Sequence, residues 1–120
     1  MNPLIPVMAG GAIGAGLRWL VSGLLVTRAP FGTLGVNIIG GFAMGVLAVL
    51  VLKGMASETM RLFIGVGILG GFTTFSAFSL ECWHMLERGQ AASAALYALV
   101  SVAGSILALM AGFMLARNFA

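Results

Sequence analysis

Residues 70–81 of this 120-residue chain are Gly-Gly-Phe-Thr-Thr-Phe-Ser-Ala-Phe-Ser-Leu-Glu, and they lie within a long apolar run. Adjacent glycines and threonines are weak helix formers, so this stretch is prone to irregular backbone. In a membrane, irregular backbone is tolerated only where it is buried in protein or lines a wet cavity. The alternative is an unbroken helix whose threonine hydroxyls bond back to the preceding turn. Composition alone leaves both open.

The whole chain has the composition of a membrane protein. It is 61% apolar and 8% charged, with six Lys or Arg against three Asp or Glu, and its mean hydropathy is +1.13. A soluble domain carries about a quarter charged residues, and a disordered chain needs low hydrophobicity and high charge. The net charge of +3, spread without a basic stripe, also excludes a nucleic-acid surface.

The length predicts one all-α domain, residues 1–120, with four transmembrane helices. A helix that crosses a bilayer takes about 20 apolar residues. Charges and turn residues place the spans at about 4–26, 33–52, 60–84 and 91–115. Ser57 or Thr59 is placed to cap the third helix. The first apolar run lacks the charged flank of a signal peptide, so we expect it to be a retained span.

The loop charges hardly favour one orientation of the chain in the membrane over the other. Cytoplasmic loops normally carry an excess of Lys and Arg. Here the two sides are nearly balanced: Lys53, Arg61 and Arg117 against Arg28, Arg88 and the more deeply placed Arg18. Either a weak bias is resolved by the first span or a partner, or both orientations are made. The second case predicts an antiparallel dimer with its two-fold axis in the membrane plane.

Small residues four apart recur in all four spans. In lipid, such spacing lets helices approach closely and gain packing contacts. We therefore expect a tight bundle, although this pattern indicates no particular activity. The pairs are Gly10 and Gly14, Gly41 and Gly45, Gly67 and Gly71, with Gly104, Ala108 and Gly112 in span four.

The few polar side chains within the spans are the candidate functional residues, because polar groups are costly in lipid. Asn37 offers an amide donor, and Thr74 and Ser76 offer hydroxyls. Ser105 lies four residues from Ser101, hence on the same face of span four. Neutral donors of this kind can replace the water of a small hydrated anion and still leave it free to move.

Two aromatic residues follow the threonines. Phe75 and Phe78 are three apart and share a helix face with Cys82. Such a stripe is typical of core packing, but the positive edge of an aromatic ring can also contact an anion. The spacing is compatible with both.

Arg18 and Glu81 each allow two interpretations. Arg18 either raises the local anion concentration in a wet vestibule or forms a buried ion pair with Glu81, and both can hold. Intramembrane carboxylates also mark proton relays, but a single one near a helix end is weak support. Cys82 and His84 form only a C-x-H pair, which is too little for zinc.

Three motifs resemble those of the Fluc/CrcB family of small fluoride channels. Residues 70–81 are similar to the family signature. Residues 14–19, Gly-Ala-Gly-Leu-Arg-Trp, resemble its span-one motif, and residues 32–40 resemble its span-two G-T-x-x-V-N-x-x-G. The motifs occur in the right order, and the resemblance covers all four spans.

The resemblance implies a fluoride-selective channel, not an enzyme, that exports fluoride passively across the cell (inner) membrane. It implies a dual-topology antiparallel homodimer, surrounded by lipid, whose third helix is broken at the midplane. The cofactor it implies is a structural sodium ion at the dimer interface, held by carbonyls matching Gly70 and Thr73. Lower cytoplasmic fluoride toxicity would be the physiological result.

The resemblance also implies two pores, each lined from both chains. Phe75 and Phe78 match the anion-facing rings, Asn37 matches the polar residue near them, and Ser76 matches a hydroxyl beside the path. Arg18 matches the vestibule arginine. Thr74 and Ser105 enter the predicted fluoride pathway from their positions in this sequence rather than from the resemblance.

Two other kinds of protein fit the length. A four-span, proton-coupled drug exporter needs an acidic residue deep in the first span, but the three acidic residues, Glu58, Glu81 and Glu87, all lie elsewhere. A membrane scaffold that merely packs through GxxxG pairs leaves Asn37 and the two threonines without a role.

Overall fold

A computed structural model describes residues 2–25 and 31–119. Within these ranges the chain is helical apart from short connections, with no strand. Four stretches are long and apolar enough to cross a membrane, which confirms the prediction of an all-α protein with four such helices: Leu4–Leu24, Phe31–Leu52, Glu58–Glu87 and Ala91–Phe119. The helices are α1 (Leu4–Leu25), α2 (Phe31–Leu52), α3 (residues 58–72), α4 (Phe75–Glu87) and α5 (Ala91–Phe119).

The helix ends differ from the predicted ones by a few residues. The helix α2 begins at Phe31, directly after Pro30 in the sequence, and prolines are common at helix starts. The helix α5 continues to Phe119, because no glycine or proline follows Gly112 to stop it. The predicted end of span one, residue 26, and most of the first loop lie outside the described residues.

The start of α3 is capped as the sequence suggests. The Ser57 hydroxyl accepts a hydrogen bond from the Met60 amide at 3.1 Å, which satisfies one of the free N–H groups of the first turn. The segment Arg61–Leu69 then forms π-helical turns, which the sequence does not predict. At their end the Gly70 amide donates to the carbonyls of both Gly65 and Gly67.

Thr73 and Thr74 separate α3 from α4. Their φ and ψ angles, −84° and 155° for Thr73 and −149° and 123° for Thr74, are those of extended backbone. The amide and hydroxyl of Thr73 both still donate to the Leu69 carbonyl, at 3.0 and 2.9 Å. The Thr74 hydroxyl accepts from the Ala77 amide at 3.2 Å and so caps α4. We call these two residues the interruption.

Glycines allow the helices to pack backbone against backbone. The helix α1 packs mainly on α3, and α2 mainly on α5. At seven glycines an added Cβ atom would overlap a backbone carbonyl of the facing helix, and the overlap is largest at four of them, which confirms close packing at these positions. These four glycines and the carbonyls they face are Gly10 and Phe63, Gly14 and Ile68, Gly45 and Leu109, and Gly112 and Phe42.

A small cluster of buried side chains holds α4 against α5. Phe78 and Met85 from α4 meet Ala94 and Tyr97 from α5. The rings of Phe78 and Tyr97 lie with their centroids 5.3 Å apart and their planes tilted by 55°, a favourable aromatic arrangement. This cluster fixes the start of α4, and with it the position of the interruption relative to α5.

Candidate functional site

A cavity of about 410 Å³ lies where α2, α4, α5 and the interruption meet. Its walls include six of the residues that the sequence predicts for the ion sites: Asn37, Thr73, Thr74, Phe75, Phe78 and Ser105. The rest of the lining is glycine, aliphatic side chains, Met44 and Ser101. None of the described residues that line it is charged, so the cavity offers an ion hydroxyl, amide and aromatic groups but no fixed charge.

Asn37 holds the interruption from α2. Its Nδ2 donates to the Thr74 carbonyl at 3.0 Å, and its Oδ1 accepts from the Thr74 amide at 2.8 Å. The sequence predicts Asn37 as an amide donor to an anion, whereas here both ends of its amide bind the backbone of one residue, Thr74. One hydrogen of Nδ2 is left over, because the group carries two.

Phe75 and Phe78 stand in a row with Tyr97. The centroids of Phe75 and Phe78 are 5.3 Å apart with a 55° tilt between the rings, and Phe78 stands in the same relation to Tyr97. Phe78 is 9% exposed whereas Phe75 is 75% exposed. Phe78 therefore belongs to the core cluster as well as to the cavity. Phe75, in contrast, is mostly exposed on the surface of the chain.

Hydroxyl groups lie on two sides of the cavity. At the interruption the hydroxyls of Thr74 and Ser76 are 3.3 Å apart, although Ser76 does not line the cavity itself. On α5, Ser105 and Ser101 both line it. Ser101 is 6% exposed, and its hydroxyl has no hydrogen-bond partner among the described residues.

Ser101 lines the cavity, although the sequence does not by itself assign it to the ion path. Its four-residue spacing from Ser105 was the available signal, since that spacing puts both hydroxyls on one helix face. A buried hydroxyl without a partner is costly. Ser101 thus joins Ser105 on the α5 side of the cavity.

Arg18 and Glu81 do not pair with each other in this structure, so the ion-pair interpretation is wrong. The Nε of Arg18 donates to the Gly71 carbonyl at 3.0 Å. The carboxylate of Glu81 accepts from the Thr33 hydroxyl on one oxygen and from the Tyr97 hydroxyl, at 2.8 Å, on the other. Neither Arg18 nor Glu81 lines the cavity.

The carbonyls of Gly70 and Thr73 lose their usual helical donors. In a continuous helix these donors are the amides four residues on, those of Thr74 and Ala77. The Thr74 amide instead donates to Asn37, and the Ala77 amide donates to the Thr74 hydroxyl. Thr73 lines the cavity, whereas Gly70 lies on the exposed surface of the chain.

Side-chain metal ligands do not gather anywhere in residues 2–25 and 31–119, where no three His, Cys, Asp or Glu could hold one ion. Carbonyl oxygens are the other protein ligands that the interruption offers to a cation. Backbone carbonyls of interrupted membrane helices are established ligands for sodium. The two carbonyls at the interruption thus fit the chemistry of a sodium site.

Comparison with known proteins identifies relatives along nearly the whole chain. The family model described as "CrcB-like protein, Camphor Resistance (CrcB)" matches residues 5–113. A protein of Sphingopyxis alaskensis named "Fluoride-specific ion channel FluC" is 53% identical over 123 residues. Proteins with the same name from Chelativorans sp. (strain BNC1) and Rhizobium meliloti (strain 1021) are 51% and 48% identical. Each of these alignments covers 98% of this chain and 98% of the relative.

The matched residues include the cavity, the interruption and the contacts that hold it, so the resemblance is not confined to the three motifs but extends over residues 5–113. The names of the relatives are those of ion channels and not of enzymes. With its four long apolar helices and a family match over residues 5–113, the chain is a multi-pass membrane protein and belongs to the CrcB family.

Proposed function

We propose that this chain is a fluoride-selective channel through which fluoride leaves the cell passively. The relatives' names supply the identity of the ion. The observation that carries the proposal in this molecule is the uncharged cavity beside the interruption, lined by hydroxyl, amide and aromatic groups. Such groups replace the hydration of a small anion without trapping it as a fixed positive charge would. Passive exit of this kind lowers the fluoride concentration in the cytoplasm.

The fluoride path follows the aromatic row and the hydroxyls. The edges of Phe75 and Phe78 offer partial positive charge to the anion. The hydroxyls of Thr74 and Ser76 and the spare hydrogen of Asn37 Nδ2 lie at one end of this row. On the opposite wall, Ser105 and the unpartnered Ser101 hydroxyl extend the line of donors along α5. The N-terminus of α4, which begins at Phe75, adds the positive end of a helix dipole.

The channel is a dimer of this chain. Gly70, Phe75 and Ser76 are exposed on the surface of the single chain, close to backbone groups freed by the interruption. Exposure of such groups to lipid costs several kcal/mol for each one, so a second copy must cover them. Two copies with their interruptions facing each other give two equivalent cavities, and hence two pores that both chains line.

The two copies are inserted in opposite directions. Support for this comes from the nearly balanced charges of the two sides, with Lys53, Arg61 and Arg117 against Arg28, Arg88 and Arg18. Arg28 lies outside the described residues, and its assignment rests on the sequence. An antiparallel pair related by a two-fold axis in the membrane plane needs both orientations in equal amounts. A chain without a strong charge bias supplies them.

A structural sodium ion joins the two interruptions. The carbonyls of Gly70 and Thr73 would hold it, because their helical donors bond elsewhere. Four carbonyl oxygens, two from each copy, would replace water around the ion. The C-terminus of α3 contributes the negative end of its helix dipole at the same place. Bound there, the ion would supply positive charge that keeps two sets of carbonyls close to each other.

Fluoride efflux from proteoliposomes tests the function. Vesicles loaded with potassium fluoride and carrying the purified protein are diluted into fluoride-free buffer, and a fluoride electrode records release. Valinomycin, which lets potassium follow, should trigger fast release, because the pore carries charge. Absence of release would overturn the channel proposal, and release that requires a proton gradient would favour a carrier. Chloride release from vesicles loaded with potassium chloride provides the selectivity control.

A further inference from the structure

Arg18 reaches from α1 to the end of α3. Its Nε donates to the Gly71 carbonyl at 3.0 Å, and the bond is partly buried. In a continuous helix that carbonyl would accept from the amide of Phe75. Phe75 lies beyond the interruption, as the first residue of α4. Arg18 therefore donates to the Gly71 carbonyl in place of the Phe75 amide, which the interruption has moved away.

The position of Arg18 follows from two glycines on the same face of α1. Gly10, Gly14 and Arg18 are spaced four apart, so they line one side of the helix. A Cβ at Gly10 would overlap the Phe63 carbonyl, and one at Gly14 would overlap the Ile68 carbonyl. The two backbones thus touch along this face, and one turn further on Arg18 arrives beside Gly71.

Asn37 acts from the other side. From α2 it bonds to the amide and the carbonyl of Thr74. The two side chains together satisfy three backbone groups at the interruption: the Gly71 carbonyl, the Thr74 amide and the Thr74 carbonyl. Neither side chain donates to the Thr73 carbonyl, which lies between these points, or to the Gly70 carbonyl, which comes directly before the first of them.

We propose that Arg18 and Asn37 form a clamp that sets the backbone conformation at the interruption, and that Arg18 acts through its Nε–H and not through its charge on passing anions. The clamp decides which carbonyls are occupied and which stay free. Arg18 is then a positioning residue, one step removed from the ion. The effect on fluoride flux rests on the proposed channel function, whereas the clamp itself is a property of the single chain.

Three substitutions separate the Nε–H of Arg18 from its charge. Glutamine places an amide nitrogen at the same distance along the side chain as Nε and carries no charge. Lysine keeps the positive charge but has a methylene group where Nε was. Methionine provides neither. In the proteoliposome assay the clamp predicts that Arg18→Gln keeps flux within about threefold of wild type, whereas Arg18→Lys and Arg18→Met lose about tenfold or more.

The opposite order of the fluoride fluxes of these variants would overturn the proposal. If Arg18 acts by concentrating anions, its charge is what counts, and Arg18→Lys will conduct as well as or better than Arg18→Gln. Melting temperatures of the purified variants show that all three are folded. Gly16→Ala serves as a matched control on α1, since a Cβ at Gly16 meets nothing within 4 Å.

A second measurement tests the clamp without any transport. Amide hydrogen exchange of the purified full-length protein is followed in the peptide that covers residues 70–78. Arg18→Met and Asn37→Ala should each raise exchange there by about tenfold, because the backbone loses its fixed partners, while Arg18→Gln and Gly16→Ala leave it unchanged. Unaltered exchange in Arg18→Met and Asn37→Ala would overturn the clamp. If the wild-type protein releases no fluoride, the channel proposal fails, and this exchange experiment still decides the clamp.

Discussion

Asn37 binds both backbone groups of Thr74, with Nδ2 3.0 Å from the carbonyl oxygen and Oδ1 2.8 Å from the amide nitrogen. The side chain replaces the two backbone partners that Thr74 would have in a continuous helix. An extended residue in the middle of an apolar span is stable only if its backbone groups find such partners. The cavity wall at Thr74 is thus built from α2 as much as from the third span.

Replacing the cavity aromatics should lower fluoride flux. Phe75→Ile and Phe78→Ile each remove a ring edge that offers partial positive charge to the anion, and we expect flux to fall at least about tenfold in each variant. Phe75→Ile should leave the packing within the single chain unchanged because Phe75 is 75% exposed there. Phe78→Ile should cost about 1–3 kcal/mol through lost core packing. Electrode-recorded efflux and melting temperature measure the two effects.

Phe119→Ile is the control for these variants, because Phe119 is 86% exposed at the end of α5 and lies outside the cavity. Size-exclusion chromatography of all three variants shows whether the oligomer still assembles. Wild-type flux in both Phe75→Ile and Phe78→Ile would contradict a path along the aromatic row.

The hydroxyl of Ser101 should matter to flux and not to stability. It is buried without a protein partner, so Ser101→Ala removes an unsatisfied group and should leave the protein equally stable or more stable by up to about 1 kcal/mol. Flux should fall, because a donor in the path is lost. Ser79→Ala is the control, because the Ser79 hydroxyl donates to the Phe75 carbonyl on an exposed helix face. Normal flux in Ser101→Ala would remove the Ser101 hydroxyl from the path.

Backbone contact between α1 and α3 should make Gly14 intolerant of any side chain. A Cβ at Gly14 would overlap the Ile68 carbonyl, while a Cβ at Gly16 would meet nothing within 4 Å. We expect Gly14→Ala to destabilise the protein by about 1–3 kcal/mol and Gly16→Ala to be neutral or slightly stabilising. Thermal unfolding in detergent compares the two. Equal melting temperatures would mean that the helices do not approach each other as closely as described.

Sodium should stabilise the assembled protein. An ion that binds only the folded dimer raises its stability by about 2.7 kcal/mol at a hundredfold excess over the dissociation constant. The melting temperature should therefore rise with sodium chloride and not with N-methylglucamine chloride at the same ionic strength. Identical melting curves in the two salts would argue against an ion held by the carbonyls of Gly70 and Thr73.

The sequence predicts the parts of the fold that depend on neighbouring residues. The spans follow from hydrophobic runs, the Ser57 cap from its place before the third span, and the shared face of Phe75 and Phe78 from their three-residue spacing. The close helix contacts follow from pairs of glycines four apart. In each case the residues that support the prediction lie in or directly beside a single helix, so the sequence of that segment is sufficient to make it.

Long-range contacts explain what the sequence leaves undetermined. The sequence indicates irregular backbone somewhere in residues 70–74, and the extended angles lie at Thr73 and Thr74 because Asn37, 37 positions away, bonds to the second of them. The partners of Glu81, Thr33 and Tyr97, come from two other helices. The π-helical turns of Arg61–Leu69 likewise have no local signature.

We propose that the fluoride channel consists of two oppositely inserted copies. This is tested by fixing each copy in one orientation. One form carries Met55→Lys and Thr59→Lys, and the other carries Glu87→Lys and Gln90→Lys, all at exposed positions near opposite ends of the third span. Gly54 and Gly89 are left unchanged because their φ angles are +70° and +73°. Added lysines hold their side of the protein in the cytoplasm.

Fluoride efflux is then measured from proteoliposomes made with each form alone and with the two forms expressed together. An antiparallel dimer predicts little release from either form alone and release close to wild type from the pair. Wild-type release from one orientation-fixed form by itself would contradict it.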